Sequence, residues 1–156
     1  MPATVFGAVF IALFVAHSVG DHWVQTSHQA QAKGLPGWPG RLADARHVLG
    51  LTLTKGITLA AAVLALHLHV TVLGLTAGLA LDAVSHWWAD RRTTLARLAE
   101  LTGKTEFFSL GTGAHPAAPV TAQGTPAAHL GTGAYALDQS FHHLFLFIAA
   151  LLIATV

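Results

Sequence analysis

Four long apolar stretches alternate with polar connections along the chain. They occupy residues 3–21, 47–66, 68–90 and 135–156. Each is long enough to cross about 30 Å of hydrocarbon as an α-helix, which rises about 1.5 Å per residue. Because lipid offers no hydrogen bonds to the backbone, membrane spans fold as helices or closed barrels, and the sequence lacks the short alternating segments of a barrel. The pattern therefore predicts an all-α integral membrane bundle of four transmembrane helices.

A soluble bundle of buried helices is the alternative interpretation of this pattern. Soluble helices normally carry a solvent-facing polar stripe, and few such stripes interrupt these stretches. Composition favours lipid as the solvent, because 53% of the 156 residues are hydrophobic and 10% are charged, against about a quarter charged in ordinary domains. No Lys or Arg precedes the first stretch and no small-residue cleavage site follows it, so we expect a span there and not a cleaved signal peptide.

The polar connections differ in length and charge. A short hairpin joins the second and third stretches, whereas a Gly-, Ala- and Pro-rich linker over about 101–134 precedes the fourth. We expect a single membrane domain over 1–156 with this linker flexible. Seven of the eight Lys and Arg residues lie in the first and third connections. The positive-inside rule places both connections in the cytoplasm, which predicts that the hairpin and both termini lie outside.

Charge and cysteine content exclude several classes of function. Eight Lys and Arg against seven Asp and Glu leave a net charge of +1. No basic surface for nucleic acid is therefore expected, and membrane lipids are the expected partners. The absence of Cys excludes disulfides, thiolate metal sites and cysteine nucleophiles. Nothing in the sequence favours a particular oligomeric state.

Titratable residues collect at the cytoplasmic end of all four predicted helices. Three His/Asp pairs are spaced by four residues, which places both members of a pair on one helix face. One further histidine opens the second helix at the same depth. The seven residues are His17, Asp21, His47, His86, Asp90, Asp138 and His142. Ionisable groups in a membrane are costly unless they are paired, hydrated or bound to metal, so we expect all seven to face the bundle interior.

This residue set is typical of a divalent metal site. Imidazoles mixed with carboxylates, without thiolates, suit Zn²⁺, Mn²⁺ or Fe²⁺, so all seven residues are candidate ligands. Asp21, Asp90 and Asp138 are also candidate catalytic residues, because water activated by a metal needs a general base. The alternative is that each Asp accepts a hydrogen bond from its own His, forming polar pairs that hold the helices together. The two interpretations can coexist, since a carboxylate often orients a ligating histidine.

Two further charges lie deeper in the predicted membrane. Lys55 is eight residues from His47, and Asp82 is eight residues from Asp90 on the antiparallel helix. Both offsets correspond to about 12 Å of helical rise, so the two charges sit at matching depth. We predict a buried Lys55–Asp82 ion pair that holds the hairpin in register, with a proton relay as the alternative.

The ordered combination of these motifs resembles a family of small bacterial and phage integral membrane proteins. Members of that family carry H-x-x-G-D-x-x-x-Q near the start, H-x-x-x-D and a basic residue in mid-chain, and D-Q-x-x-H before the last span. Here the corresponding sequences are HSVGDHWVQ at 17–25, HWWADR at 86–91 and DQSFH at 138–142. The long linker resembles that of the actinobacterial branch.

The resemblance implies a location and two further site residues. It implies that the protein is localised in a bacterial cytoplasmic (inner) membrane. It adds Gly20, as a point of close helix approach, and Gln25, as a polar partner. The family is similar in layout to membrane-bound metal-dependent hydrolases, which implies the same class of activity.

The sequence supports three functional hypotheses. The leading one is a metal-dependent hydrolase with a cytoplasmic-side His/Asp site that acts on a membrane-associated substrate. The second is a transporter or sensor in which the same residues bind a metal or a proton, and the deeper charges favour it. The third is a non-catalytic membrane scaffold held together by the polar pairs.

Overall fold

The computed structural model describes residues 2–111 and 132–156, and this part of the chain is all-helical, as predicted. A π-helical turn, Gly20–Val24, continues the first helix. The helices are α1 (Pro2–Val19), α2 (Ser27–Ala32), α3 (Gly37–Ala65), α4 (Val72–Asp90), α5 (Thr93–Leu101), α6 (Thr105–Ser109) and α7 (Gly133–Thr155).

The four long helices pack into one bundle. Helix α1 contacts α3 and α7, and α4 contacts the same two helices, so α1 and α4 lie diagonally opposite each other. An apolar core fills the half of the bundle that contains the start of α1 and the end of α7. Its fully or almost fully buried side chains include Val9, Leu13, Leu59, Leu146 and Ile153. The other half of the bundle holds the polar residues.

The bundle has an apolar surface and a charged interior, the reverse of a soluble protein. Ile11, Leu53, Ile57 and Leu73 are all more than half exposed, whereas Lys55 is fully buried. An apolar surface of this extent needs an apolar solvent. Among the described residues, three helices are long and apolar enough to cross a membrane, namely α1 with its π turn, α3 and α7. These features indicate a membrane protein.

The predicted span 68–90 corresponds to α4, which is more polar than those three helices. It carries Asp82, His86 and Asp90, and all three are buried against the rest of the bundle. Helix α4 therefore presents its charges inward, as a membrane helix must. Its crossing of the membrane, and with it the four-span topology, stays a prediction.

Helix α3 begins at Gly37, well before the start of the predicted span 47–66. Gly37, Pro39 and Gly40, which precede the predicted span and are residue types common in turns, are therefore part of the helix. Pro39 lies in the first turn of α3, where a backbone N–H would have no acceptor within the helix, so a proline costs no hydrogen bond there. Gly40 packs against the backbone of Leu35, and a Cβ there would lie 1.9 Å from the Leu35 carbonyl oxygen.

The linker predicted as flexible over 101–134 includes two helical parts. Helix α6 lies near its start and α7 begins within it, while residues 112–131 lie outside the described part of the chain. The N–H of Gly133 donates a hydrogen bond to the carbonyl of Leu110 at 2.9 Å. This contact holds the start of α7 against the end of α6.

Candidate metal centre

Two histidine nitrogens face each other inside the bundle. Nε2 of His47, on α3, lies 3.1 Å from Nε2 of His86, on α4. Asp21 Oδ1, from the π turn, lies 3.0 Å from the His47 nitrogen and 3.5 Å from the His86 nitrogen. Asp90 Oδ2, at the end of α4, lies 3.4 Å and 3.2 Å from the same two atoms. We call these four buried residues the His/Asp centre.

The separations within the His/Asp centre fit a single metal ion. Ligand atoms about 2.0–2.1 Å from a tetrahedral Zn²⁺ lie about 3.3–3.4 Å from one another, which is close to the 3.0–3.5 Å between the two nitrogens and between each nitrogen and each oxygen. Two trios have ligand atoms within 4.8 Å of one another and share His86. They are Asp21, His47 and His86, and His86, Asp90 and His142. Buried His and Asp groups of this chain can therefore hold a metal ion.

Two oxygen atoms of the centre lack a hydrogen-bond donor among the described residues. They are Asp21 Oδ1 and Asp90 Oδ2. The two histidine nitrogens lie 3.0–3.5 Å from these oxygens. A buried polar atom left in this way costs about 1–3 kcal/mol. A cation between the nitrogens and the two oxygens would satisfy all four groups together.

His17 lies beside the centre on α1. Its Nε2 is 3.6 Å from Asp21 Oδ2 and 3.2 Å from Gln139 Oε1. Gln139 Nε2 is 3.5 Å from the same Asp21 oxygen. His17 and Gln139 thus contact the outer oxygen of Asp21, and Oδ1 is left to the centre. Gln139 was not predicted as a site residue, although it lies within the DQSFH motif.

The fourth long helix supplies His142 and Asp138. The His142 ring stacks on the ring of His86 with centroids 3.9 Å apart, and its Nε2 lies 3.4 Å from Asp138 Oδ1. The Asp138 side chain is 25% exposed and lies at the rim. The structure thus brings six of the seven predicted residues into one buried cluster and leaves Asp138 at its edge.

The π turn places Asp21 opposite α3. It is closed by a hydrogen bond from the N–H of Gln25 to the carbonyl of Gly20, at 2.9 Å, and such wide turns are frequent at functional sites. A Cβ on Gly20 would lie 2.2 Å from Leu51 Cδ1, which agrees with the close helix approach that the resemblance implied. The side-chain amide of Gln25 is buried, and its Nε2 has no hydrogen-bond acceptor among the described residues.

Lys33 contacts the centre, although its place in the sequence carries no spacing signal. Its Nζ lies 2.8 Å from Asp90 Oδ1, the oxygen of Asp90 that does not face the histidines. The segment after α2 that carries Lys33 is fastened to the end of α4, because the guanidinium of Arg91 donates hydrogen bonds to the carbonyls of Lys33 and Leu35. Arg91 is the basic residue that follows the mid-chain motif.

Asp44 is a second residue that the sequence analysis missed. It is fully buried on α3, with Oδ2 3.7 Å from Nη1 of Arg91. It therefore supports the guanidinium that fastens the Lys33 segment. The sequence contains a pattern that could have identified Asp44, because Asp44-x-x-His47 has the i, i+3 spacing of helical carboxylate–histidine metal motifs.

An open cavity of about 420 Å³ reaches the centre from one end of the bundle. Asp21 and Asp90 of the centre line it together with Asp138. Two cationic side chains, Lys33 and Arg92, line it as well. The cavity gives a small polar molecule access to the candidate ligands.

The predicted ion pair in the deeper interior is confirmed. Lys55 Nζ donates a hydrogen bond to Asp82 Oδ2 at 2.6 Å, and the Lys55 side chain has no exposed surface. The pair joins α3 to α4 at equal depth, as the eight-residue offsets required.

Comparison of the chain with protein-family models, with curated proteins and with solved structures found no match.

Proposed function

We propose that this chain is an integral protein of a bacterial cytoplasmic membrane and acts as a metal-dependent hydrolase on a membrane-associated substrate. In this proposal four spans enclose the His/Asp centre, which lies on the cytoplasmic side, and both termini lie outside. The observation that carries it is that two histidine nitrogens lie 3.1 Å apart and each lies 3.0–3.5 Å from the same two carboxylate oxygens, with the four groups supplied by three different elements. Zn²⁺, Mn²⁺ and Fe²⁺ suit this ligand set.

The residues of the site divide into ligands and a base. His47, His86, Asp21 and Asp90 would hold the ion. A bound divalent ion supplies Lewis-acid activation of water. Asp138 is the general base in this proposal, because it lines the cavity and belongs to neither trio.

Asp138 is also positioned for that role by its neighbours. Gln139 Nε2 lies 3.3 Å from Asp138 Oδ2, and His142 Nε2 lies 3.4 Å from Asp138 Oδ1. Both groups restrict the orientation of the carboxylate. Its partial exposure lets it exchange the proton that it takes from water.

Transport is the second candidate, and the buried Lys55–Asp82 pair favours it because it extends the polar interior. Beyond that pair, the described interior is an apolar core that includes Leu13, Leu59 and Leu146. A transported ion would have to cross this core. A hydrolase needs access from one end only, which is the access that the cavity provides.

Elemental mass spectrometry of the detergent-purified protein tests the metal centre. We expect about one divalent ion per chain in the wild type and an affinity at least about tenfold weaker in His86→Ala, since even residues that only support ligands weaken metal binding by that factor. His69→Ala is the matched control, because His69 is exposed between α3 and α4 and belongs to neither trio. A folded wild-type protein that takes up none of the three metals refutes the proposal and leaves the scaffold hypothesis.

Turnover separates the hydrolase from a metal-binding protein. With the general substrates p-nitrophenyl phosphate and bis(p-nitrophenyl) phosphate, Asp138→Asn should lower the rate by about 10²-fold or more and keep the metal. Loss of the metal in Asp138→Asn would make that residue a ligand instead of a base. Metal flux into proteoliposomes without any turnover would support transport.

A further inference from the structure

An apolar groove adjoins the polar cavity. It has a volume of about 230 Å³ and runs between α5 and the first half of α7. Leu98 and Phe141 contribute to its walls, and none of the described residues that line it is charged. Leu95 lines both the groove and the cavity, so the two compartments are contiguous. Leu144, also in the lining, is 54% exposed on the apolar surface of the bundle, so the groove is open to lipid.

The polar cavity changes its charge balance when a metal is bound. Three carboxylates line it, those of Asp21, Asp90 and Asp138, against the two cations Lys33 and Arg92. This excess of one negative charge becomes an excess of one positive charge when a divalent ion occupies the centre. The metal-loaded cavity therefore attracts an anion.

The two cations are placed to hold that anion beside the centre. Lys33 Nζ lies 2.8 Å from Asp90 Oδ1 and so stands next to the ligand set. Arg92 uses one N–H group on the carbonyl of Ala30, at 2.8 Å, and a guanidinium carries several more donors in a planar fork. Proteins commonly bind a phosphate group with an arginine guanidinium, a lysine and a divalent ion together.

We propose that the substrate is a phosphorylated lipid, whose phosphate binds in the cavity between the centre, Lys33 and Arg92 and whose hydrocarbon chain lies in the groove between α5 and α7. This inference rests on the proposed function and names its substrate class. An uncharged groove that opens to lipid on one side and meets a phosphate-binding cavity on the other fits an amphiphile with that order of parts. Hydrolysis would form a P–O bond from water and break the P–O bond to the lipid alcohol. The alcohol receives the proton that Asp138 takes from the water.

Calorimetric titration of the metal-loaded protein in detergent tests the inference with three probes. Dihexanoyl phosphatidic acid carries phosphate and chains, sn-glycerol 3-phosphate carries the phosphate alone, and dihexanoylglycerol carries the chains alone. The Asp138→Asn variant keeps the probes intact during the titration. We expect phosphatidic acid to bind at least about tenfold more tightly than either other probe, because burial of only two methylene groups corresponds to that factor.

Two variants assign the two compartments separately. Arg92→Gln should weaken both phosphate-bearing probes by about tenfold or more, the usual effect of losing a hydrogen bond between charged groups. Ser140→Trp fills the groove from an exposed position. It should lower the affinity for phosphatidic acid to that of glycerol 3-phosphate and leave glycerol 3-phosphate unchanged. Leu53→Trp, at an exposed position on α3 away from both compartments, is the matched control and should bind all probes as before.

The outcomes distinguish failure of this inference from failure of the metal centre. Equal affinities for phosphatidic acid and glycerol 3-phosphate would mean that the groove does not bind a hydrocarbon chain. The substrate would then be a soluble phosphate ester. No binding by a protein with full metal content would overturn the phosphate assignment and leave the centre intact. Preference for a leucine-rich transmembrane peptide over all three probes would assign the cavity to a peptide substrate. Absence of the metal itself is a failure of the proposed function.

Discussion

The buried ion pair between Lys55 and Asp82 leads to a quantitative stability prediction. Lys55 Nζ and Asp82 Oδ2 are 2.6 Å apart, and their side chains are 0% and 4% exposed. Lys55→Met therefore leaves a carboxylate without a partner inside the bundle. Breaking a buried pair in this way costs about 3–5 kcal/mol, a large share of a typical unfolding free energy of about 5–15 kcal/mol. We expect the melting temperature to fall by about 10 °C.

The double variant Lys55→Met/Asp82→Leu isolates the charge from the packing. It removes both ions and keeps side chains of similar volume, a replacement that is often neutral or stabilising. We expect its free energy of unfolding to lie within about 1 kcal/mol of the wild type, and therefore at least about 2 kcal/mol above that of Lys55→Met. Titration with a denaturing detergent, followed by the fluorescence of the four tryptophans, measures all three proteins.

Two results would refute this reasoning. A single variant as stable as the wild type would mean that no buried pair exists in solution. A double variant as unstable as the single one would mean that packing, and not charge, accounts for the loss. The metal content should stay unchanged in both variants, because neither Lys55 nor Asp82 belongs to the ligand trios.

Three further perturbations test packing, anchoring and ligation. Gly78→Ala should destabilise the protein by about 1–3 kcal/mol, because the new Cβ would lie 2.6 Å from Ile153 Cγ1. Gly56→Ala is the control, because a Cβ there meets nothing within 4 Å. Thermal unfolding of both variants measures the difference, and equal melting temperatures would contradict the prediction. Arg91→Met should make the segment after α2 more sensitive to limited proteolysis, because Arg91 holds the carbonyl of Lys33; equal cleavage rates would contradict this. Metal content should fall as the pH is lowered, because imidazoles and carboxylates bind metals only when deprotonated; an elemental analysis that finds the same occupancy at every pH would contradict this.

The helical elements and the pairs within them could be predicted from the sequence because both follow from local geometry. Apolar stretches of span length specify helices in lipid, and a spacing of four places two side chains together on one face. The His86–Asp90 and Asp138–His142 pairs accordingly lie at 3.2 Å and 3.4 Å. The depth of the Lys55–Asp82 pair followed from the same helical rise.

The rest of the site depends on tertiary geometry that no local pattern encodes. Lys33 reaches Asp90 only because the segment after α2 folds back over the end of α4, where Arg91 holds it. The π turn at Gly20–Val24 has no periodicity of its own, and it determines which face Asp21 presents. Asp44 lay within reach of prediction, since its spacing from a predicted ligand resembles a known metal motif.

The charges in and around the centre connect the metal with the proposed substrate. The carboxylates are Asp21, Asp44, Asp90 and Asp138, and the cations near them are Lys33, Arg91 and Arg92. One uncompensated negative charge in a membrane interior is costly unless a cation neutralises it. A divalent ion in the centre neutralises that charge and leaves one positive charge in excess.

That excess charge predicts a reciprocal effect between the two ligands. An anionic phosphate in the cavity neutralises it, so metal and phosphate should each strengthen the binding of the other by the same factor. We expect Mn²⁺ to bind more tightly, by about fivefold or more, in the presence of saturating glycerol 3-phosphate, and electron paramagnetic resonance titration of free Mn²⁺ measures this. Arg92→Gln should reduce the effect, because it removes a phosphate contact and leaves the ligands in place. An Mn²⁺ affinity that does not respond to the phosphate would mean that the two sites are not electrostatically coupled, and the charge argument would then be wrong.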